Sequence, residues 1–356
     1  MDTGAGLSLY PLRLTLTAKE PLALDEHPGS ALRGAVFNAL LRRFCANPTA
    51  SSCAACPLNA TCPVAGLVAP LRDENPRGRD VPRPFVLAAE GDPAPDNTPG
   101  LQRFAPGDTL RFRITLIGRA IAFFPYLALA TQLMEHNGIG RPLRENGGRR
   151  GRFEINRIEL VNPFSDETQL LYQRGQTKVS SPTLPTTVAH VTQRARALPA
   201  DALTLRFLTP TRLVDRGQLV RHPSLRVICA RLAERLDALT REYASASAPP
   251  ADPGDPESAL ASQAAQEMRD RAQRLAEHAA RITVVENATR WVDVASYSAR
   301  QQRSTPIGGL VGHATYVGDL APLRELLVWG ELLHVGKNAV KGDGRYHIEH
   351  PAPRLL

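Results

Sequence analysis

The length and composition indicate a folded protein of two domains. The chain has 356 residues, and at about 100 to 200 residues per domain this length favours two domains over one. Hydrophobic residues make up 43% and charged residues 22%, values that are typical of a folded protein and exclude extensive disorder. Lysine and arginine exceed aspartate and glutamate by 43 to 35, and the formal net charge of +8 favours a polyanionic partner such as nucleic acid.

The sequence predicts no membrane span and no secretion signal. The longest apolar stretches, such as Ala120 to Ala130, are far shorter than the roughly 18 residues that a membrane span needs. The segment from Met1 to Tyr10 lacks a basic region followed by an apolar core and a cleavage site. We therefore expect a cytoplasmic protein with no membrane partner.

The first half of the chain predicts a strand-helix-strand-strand-helix-strand order. Apolar and polar residues alternate from Leu7 to Leu16, as in a half-buried strand, and Ser30 precedes apolar residues at helical spacing. The predicted elements are strands over 7–16, 83–89, 109–117 and 152–160 and helices over 30–45 and 125–134. This order is typical of the ferredoxin-like module, in which two helices pack on a four-stranded antiparallel sheet.

The second half of the chain repeats this order. Its predicted elements are strands over 204–207, 281–285, 307–317 and 345–348, helices over 223–243, 257–280 and 322–333, and a flexible loop over 244–255. The helix ends His136-Asn137-Gly138 and His334-Val335-Gly336 are similar, which supports a duplication. We therefore predict an α+β protein of two tandem ferredoxin-like (RRM-like, βαββαβ) domains. They comprise residues 1–165, with a cysteine-rich metal-binding insertion at 45–62, and residues 201–356, with a glycine-rich loop, joined by a linker at 166–200.

Four cysteines within 18 residues indicate a metal site. Cys45, Cys53, Cys56 and Cys62 follow the spacing C-x7-C-x2-C-x5-C, and four thiolates on a tight loop suit tetrahedral zinc, with an iron-sulfur cluster as the second choice. Such a closed site is structural, because it leaves no position for a substrate. Reduced structural thiols are the alternative interpretation, and disulfides are disfavoured without a secretion signal. Cys229 has no neighbouring cysteine and is expected in a helix core.

Two glycine-rich basic segments suit phosphate binding. The segment 138–153 contains five arginines and one acidic residue among five glycines; the arginines are Arg141, Arg144, Arg149, Arg150 and Arg152. Glycine lets backbone N–H groups approach an oxyanion, and arginine supplies charge-assisted donors. A flexible exposed hairpin with incidental charge is the alternative. The segment 336–344 follows a predicted helix and places Lys337 and Lys341 where a glycine-rich loop contacts a nucleic-acid backbone.

The motifs that are absent exclude several classes of enzyme. The sequence contains no G-x-S-x-G elbow, no H-E-x-x-H zinc motif and no dinucleotide fingerprint, which argues against hydrolases of these types, metalloproteases and dehydrogenases. Histidine titrates near neutrality and can move protons in RNA cleavage without a metal. His27 lies in the loop before the first predicted helix, close in sequence to Arg33, and is either a functional side chain or an exposed loop histidine.

Besides the cysteine group, the short stretches that carry a resemblance are 30–35, 83–85, 138–140, 207–210, 297–301, 308–312, 334–337 and 341–346. In this order they resemble the CRISPR-associated endoribonucleases that process precursor crRNA, which are members of the RAMP superfamily. The resemblance implies paired ferredoxin-like domains and a glycine-rich loop near the C-terminus. It also implies cleavage within CRISPR repeat RNA without a catalytic metal, leaving a 2′,3′-cyclic phosphate and a 5′-hydroxyl.

The resemblance also implies roles for individual residues. The general acid/base of the family is often a histidine in or near the first helix, and His27 is the histidine of this sequence that lies there. Arg33 is expected to stabilise charge on the phosphorane, and Tyr297, His313 and His334 are alternative catalytic residues. The expected RNA contacts are the five arginines of 138–153 together with Arg300, Lys337, Lys341 and Arg345.

Asp343 departs from the family, because it stands where an apolar residue is usual between the glycines of the loop.

Two other functions remain open at this point. Related RAMP proteins bind crRNA without cutting it, as subunits of CRISPR effector complexes, so other effector subunits are possible partners besides repeat RNA. A zinc-stabilised DNA-binding regulator has the charge and the cysteines, but the sequence lacks a helix-turn-helix or a zinc-finger spacing.

Overall fold

The chain forms two compact units. A computed structural model describes residues 4, 6–70, 81–90, 101–244, 256–298 and 303–351. The N-terminal unit comprises Ser8–Thr186 and Val340–Gly342, and the C-terminal unit comprises Met1–Leu7, Thr187–Ala339 and Asp343–Leu356. The division at Thr187 lies inside the segment 166–200 that the sequence analysis assigned to a linker. In the described part of the chain, no helix is both long and apolar enough to cross a membrane.

The N-terminal unit contains a five-stranded antiparallel sheet and two main helices. Its strands are β1 (Leu9–Ala18), β2 (Leu22–Asp25), β3 (Phe85–Glu90), β4 (Leu101–Phe104), β5 (Thr109–Ile117), β6 (Ile139–Leu143), β7 (Arg149–Gly151), β8 (Phe153–Val161) and β9 (Thr168–Gln173). Its helices are α1 (Gly29–Phe44), α2 (Pro63–Val68) and α3 (Phe124–Asn137). The sheet order is β3-β5-β1-β8-β9, and the pairs β2-β4 and β6-β7 form separate ribbons. Without β9, this is the ferredoxin-like arrangement.

The alternation in β1 places one face of the strand in the core of the N-terminal unit. Leu12, Leu14 and Leu16 are at most 1% exposed and pack in one cluster with Leu32 and Val36 of α1. Successive side chains of a strand point to opposite faces, and side chains of a helix return to the same face about every 3.6 residues. The apolar residues of β1 and α1 therefore share one face of each element, and these two faces pack together. This periodicity is visible in the sequence, so both elements could be predicted from it.

The C-terminal unit repeats the arrangement with a four-stranded sheet. Its strands are β10 (Ala202–Thr211), β11 (Leu213–Asp215), β12 (Gln218–Val220), β13 (Thr283–Val292), β14 (Ala295–Ser298), β15 (Arg303–Pro306), β16 (Gly309–Val317) and β17 (Tyr346–Glu349). Its helices are α4 (Val188–Arg196), α5 (Leu225–Tyr243), α6 (Pro256–Ala279) and α7 (Arg324–Leu333). The sheet order is β13-β16-β10-β17, and β11-β12 and β14-β15 are two-stranded ribbons. The predicted fold of two ferredoxin-like domains is therefore confirmed.

Several elements differ from the sequence prediction. Strand β13 continues to Val292, whereas the predicted strand ended at residue 285. It is an edge strand whose residues are mostly exposed, so no alternation of apolar and polar residues marks it. The predicted linker contains β9 and α4. The short ribbons β2-β4, β6-β7, β11-β12 and β14-β15 also escaped prediction, because pairing between short segments depends on partners that are distant in the sequence.

Candidate functional site

His27 lies in the short loop between β2 and α1 of the N-terminal unit. The loop follows Asp25, the last residue of β2, and α1 begins at Gly29, so the histidine precedes the helix. Its side chain is half-buried. The first turn of α1 contains no acidic residue, so the positive end of the helix dipole is not neutralised there by a carboxylate of the helix itself. A helix start of this kind favours a phosphate group beside the histidine.

The segment Val340–Gly342 of the glycine-rich loop packs against the start of α1. A Cβ atom at Gly29 would lie 1.4 Å from the carbonyl oxygen of Lys341, so no other residue fits at position 29 without moving the loop. Gly342 has a φ of +89°, and a Cβ atom there would lie 2.8 Å from the carbonyl oxygen of Leu87 in β3. The backbone of Lys341 therefore contacts Gly29, which follows His27 by two positions in the sequence. Both segments belong to the same compact unit.

The ribbon β6-β7 packs against β2, the strand that precedes the same loop. A Cβ atom at Gly140 would lie 2.1 Å from the carbonyl oxygen of Ala23, and one at Gly151 would lie 2.4 Å from that of Pro21. These two glycines let the ribbon approach β2 closely. Arg141 of the ribbon then contacts Asp25, with its Nε atom 2.7 Å from a carboxylate oxygen. The guanidinium group of Arg141 is thereby held at Asp25, which precedes His27 by two positions in the sequence.

The arginines of the segment 138–153 fall into two groups. Arg152 donates hydrogen bonds to Glu20, with Nε 2.8 Å from Oε1, and Arg149 lies 3.9 Å from the same carboxylate. The hydrogen bond from Arg152 lowers the pKa of Glu20. Arg144 and Arg150 are exposed, and neither forms an ion pair or a side-chain hydrogen bond with any residue that the structure describes. These two arginines are therefore available for an anionic ligand.

Arg33 lies one turn into α1 and is half-buried. It lines a small apolar pocket with Val36 and Leu67, and burial followed by repulsion from Arg83 lowers its pKa. Arg83 is held by a hydrogen bond of 2.7 Å from its Nε to the carbonyl oxygen of Val68. The structure therefore places two arginines together beside α2, in the N-terminal unit.

The remaining predicted catalytic residues belong to the C-terminal unit. His334 ends α7 with a φ of +61° and is 1% exposed, so its imidazole has little contact with solvent. His313 lies on β16, with its Nε2 atom 3.2 Å from Glu286. The backbone of Tyr297 pairs with Ser304 in the ribbon β14-β15. Arg300 lies outside the described residues.

The basic residues of the glycine-rich loop are divided between the units. Lys337 is exposed in the C-terminal unit, and its backbone N–H donates a hydrogen bond of 3.0 Å to the carbonyl oxygen of Arg212. Lys341, in the N-terminal unit, and Arg345, in the C-terminal unit, are half-buried. Asp343 is 3% exposed, so its charge is directed into the protein and is not presented on the surface of the loop.

The predicted metal site at the four clustered cysteines stays a prediction. All four are described and half-buried, and none forms a disulfide bond. In the described residues, no group of three or more histidine, cysteine, aspartate or glutamate side chains could hold a metal ion. The arrangement therefore does not support zinc or an iron-sulfur cluster at Cys45, Cys53, Cys56 and Cys62. Zinc stays a prediction from the sequence, which metal analysis of the purified protein tests. Cys229 is buried in α5, as predicted.

Two family models match the chain. A model described as the CRISPR-associated endoribonuclease Cas6 matches residues 205–346, and a model of an N-terminal domain, named AF_1859_N, matches residues 7–184. Residues 205–346 of the chain therefore form a domain of the CRISPR-associated endoribonuclease Cas6 family. Its function is therefore in the processing of CRISPR RNA. No curated protein matches the chain.

Several solved structures are similar to the chain at low sequence identity. A chain of a partial Cas6-RT-Cas1–Cas2 complex has a TM-score of 0.52 and 12% identity, over 98% of this chain and 47% of that chain. Cas6 (TTHB231) in a product complex has a TM-score of 0.48 and 18% identity, over 96% of this chain and 100% of that chain. The same Thermus thermophilus protein has a second structure with a TM-score of 0.47 and 18% identity, over 97% and 100% of the two chains.

The sequence did not point to the residues that position the ribbon arginines and the glycine-rich loop. Glu20 and Asp25 are the acidic partners of the ribbon arginines, and Gly29 accommodates the glycine-rich loop. The one available signal was their position in the sequence, within about seven residues of His27. Their partners are distant in the sequence, so spacing alone could not assign them.

Proposed function

We propose that this chain cleaves CRISPR repeat RNA without a catalytic metal and that His27 moves the protons. The single observation that supports this proposal is the position of His27 in a loop whose neighbouring residues contact two basic segments of the N-terminal unit. Gly29, two residues after His27, packs on the Lys341 carbonyl, and Asp25, two residues before it, contacts Arg141. An imidazole in the loop directly before a helix N-terminus is suited to a reaction at a phosphodiester.

The reaction that this arrangement suits begins at the 2′-hydroxyl of the RNA. A base removes the hydroxyl proton, the oxygen attacks the adjacent phosphorus, and the 5′-oxygen leaves with a proton from an acid. The products are a 2′,3′-cyclic phosphate and a 5′-hydroxyl. His27 takes or gives a proton, Arg33 and Lys341 stabilise negative charge on the phosphorane, and Lys337 contacts the RNA backbone. Arg144 and Arg150 bind phosphates of the repeat, because their charges are free of acidic partners in the described structure.

Repeat RNA is the proposed partner, and other CRISPR proteins are a second proposed class of partner. The similar solved structures include a Cas6 product complex and a complex that contains Cas1 and Cas2. Copurification with tagged CRISPR proteins from the same genome tests the second class.

The first experiment incubates the protein with the repeat RNA of its own genome in excess EDTA. A second copy of the RNA carries a 2′-deoxy nucleotide at the cut site. We expect cleavage of the first RNA and none of the second. Tight binding without cleavage of either RNA would support a non-catalytic RNA-binding subunit instead.

The second experiment assigns the proton transfer to His27. His27→Ala should lower the single-turnover cleavage rate by about 100-fold or more, in the range of general acid-base catalysis, and should leave RNA affinity largely unchanged. His136→Ala is the matched control, because His136 is an exposed histidine of the same unit, in the last turn of α3. Equal cleavage rates in the two variants would remove His27 from the mechanism.

A further inference from the structure

We propose that Arg212, Trp291 and Arg221 of the C-terminal unit form a binding site for single-stranded RNA. This inference rests on the proposed RNA-processing function, and it adds a second contact region to the one around His27. The guanidinium carbon of Arg221 lies 4.5 Å from the centroid of the Trp291 ring, and that of Arg212 lies 5.8 Å from it. One indole ring therefore interacts with two cations.

The ribbon β11-β12 brings the two arginines together. Leu213, the first residue of β11, pairs with Val220, the last residue of β12. Arg212 precedes Leu213 and Arg221 follows Val220, so both arginines lie at the open end of the ribbon. Like charges at neighbouring positions on paired strands are destabilising. The ring of Trp291 offsets part of this repulsion, and an anionic ligand would offset the rest.

The charges of this site are not neutralised by acidic side chains within the described structure. Arg212 donates a hydrogen bond of 3.1 Å to the carbonyl oxygen of Gly308, which is a neutral acceptor. Arg221 is exposed and forms no ion pair with any described residue. Asp293 is the nearby acid, and it accepts a hydrogen bond of 2.9 Å from the Trp291 Nε1–H. The site therefore keeps a net positive charge beside an aromatic ring.

The glycine-rich loop extends the same surface. A Cβ atom at Gly336 would lie 2.4 Å from the carbonyl oxygen of Arg212, and the backbone N–H of Lys337 donates to that oxygen. The exposed Lys337 side chain thus begins next to the Arg212 backbone. Two cations contact the half-buried Trp291, and the backbone of a third cationic residue contacts the Arg212 backbone, all within the C-terminal unit.

Single-stranded RNA is the ligand that fits these groups. Guanidinium groups bind phosphate oxygens, and both arginine and tryptophan stack on bases, whatever the base. A base in a duplex is already stacked on both sides and cannot stack on these side chains. The net charge of +8 favours the same class of partner. An acidic protein segment would use the charges but not the stacking surface.

Tryptophan fluorescence tests this inference directly. The protein has two tryptophans, and Trp329 is 1% exposed, so a ligand that stacks at the surface changes the fluorescence of Trp291. The probes are a twelve-nucleotide oligouridylate, the same strand paired with oligoadenylate, and polyglutamate. We expect quenching by the single strand, weaker quenching by the duplex and none by polyglutamate. Trp291→Phe should remove the quenching.

Affinity measurements provide the second readout. Anisotropy of labelled oligouridylate should show about 5- to 160-fold weaker binding for Trp291→Ala, the range measured for stacking of one base. Arg221→Ala should weaken binding and should reduce the salt slope by about 0.7, as for one phosphate contact of a single strand. Arg281→Ala is the matched control, because Arg281 is an exposed arginine of the same unit before the opposite end of β13. Trp291→Phe keeps an aromatic ring that can stack on a base, so this variant should lose less RNA affinity than Trp291→Ala.

Two results would overturn the inference. One is unchanged Trp291 fluorescence at RNA concentrations that saturate binding, and the other is equal affinity of the Arg221→Ala and Arg281→Ala variants. Quenching by polyglutamate and not by RNA would identify an acidic protein partner and would also refute it. Because oligouridylate binding is measured without cleavage, failure of this site is distinguishable from failure of the proposed ribonuclease activity.

Discussion

Replacing Gly29 by alanine should separate the loop from the first helix and slow cleavage. The new methyl carbon would lie 1.4 Å from the carbonyl oxygen of Lys341 and 2.5 Å from its carbonyl carbon. Carbon and oxygen atoms approach to about 3.4 Å in close contacts, so the loop must move by about 2 Å. A displacement of about 1 Å at a reacting group can cost about 100-fold in rate. We therefore expect the cleavage rate of Gly29→Ala to fall by at least about 100-fold.

Gly34 of the same helix is the matched control. A methyl group at Gly34 would meet no atom within 4 Å, so nothing has to move. Alanine is favoured over glycine inside a helix by about 1 kcal/mol, so Gly34→Ala should be slightly more stable and should cleave at the normal rate.

The assay combines single-turnover cleavage of repeat RNA with thermal unfolding of each variant. If Gly29→Ala does not fold, Gly342→Ala provides the same test from the loop side, because a Cβ atom there would lie 2.8 Å from the Leu87 carbonyl oxygen. Cleavage by Gly29→Ala at the rate of Gly34→Ala would refute the argument that this contact positions the site.

Two further predictions concern charge. Replacing Arg144 and Arg150 together by alanine should weaken RNA binding and reduce the salt slope by about 1.4, as for two phosphate contacts of a single strand, without lowering the melting temperature; an unchanged slope would show that neither touches a phosphate. The hydrogen bond between His347 and Glu331 raises the pKa of His347 above 6.5. Protonated His347 therefore stabilises the fold below about pH 6.5, and this contribution is lost as the pH rises through the raised pKa. His347→Gln should show a smaller decrease in unfolding free energy between pH 6 and 8.5 than the natural protein, and equal decreases would contradict this.

The fold could be predicted from the sequence where local periodicity determines burial. Leu12, Leu14 and Leu16 alternate with polar residues, and Leu32 and Val36 recur at helical spacing, so β1 and α1 were predicted close to their observed bounds. The β-α-β-β-α-β order of each half then predicted two ferredoxin-like domains, because this order has a small number of compact solutions. Edge strand β13 was predicted too short, because exposed residues carry no such pattern.

Of the candidate site, the sequence by itself identified residue types and the resemblance to a family. His27, the ribbon arginines and the glycine-rich loop stand out by composition and spacing. Only the tertiary structure decided that Lys341 packs on Gly29, that Arg141 contacts Asp25 and that Trp291 contacts two arginines. These contacts join segments far apart in the chain, and a side chain's neighbours across such distances depend on how the elements pack rather than on local sequence.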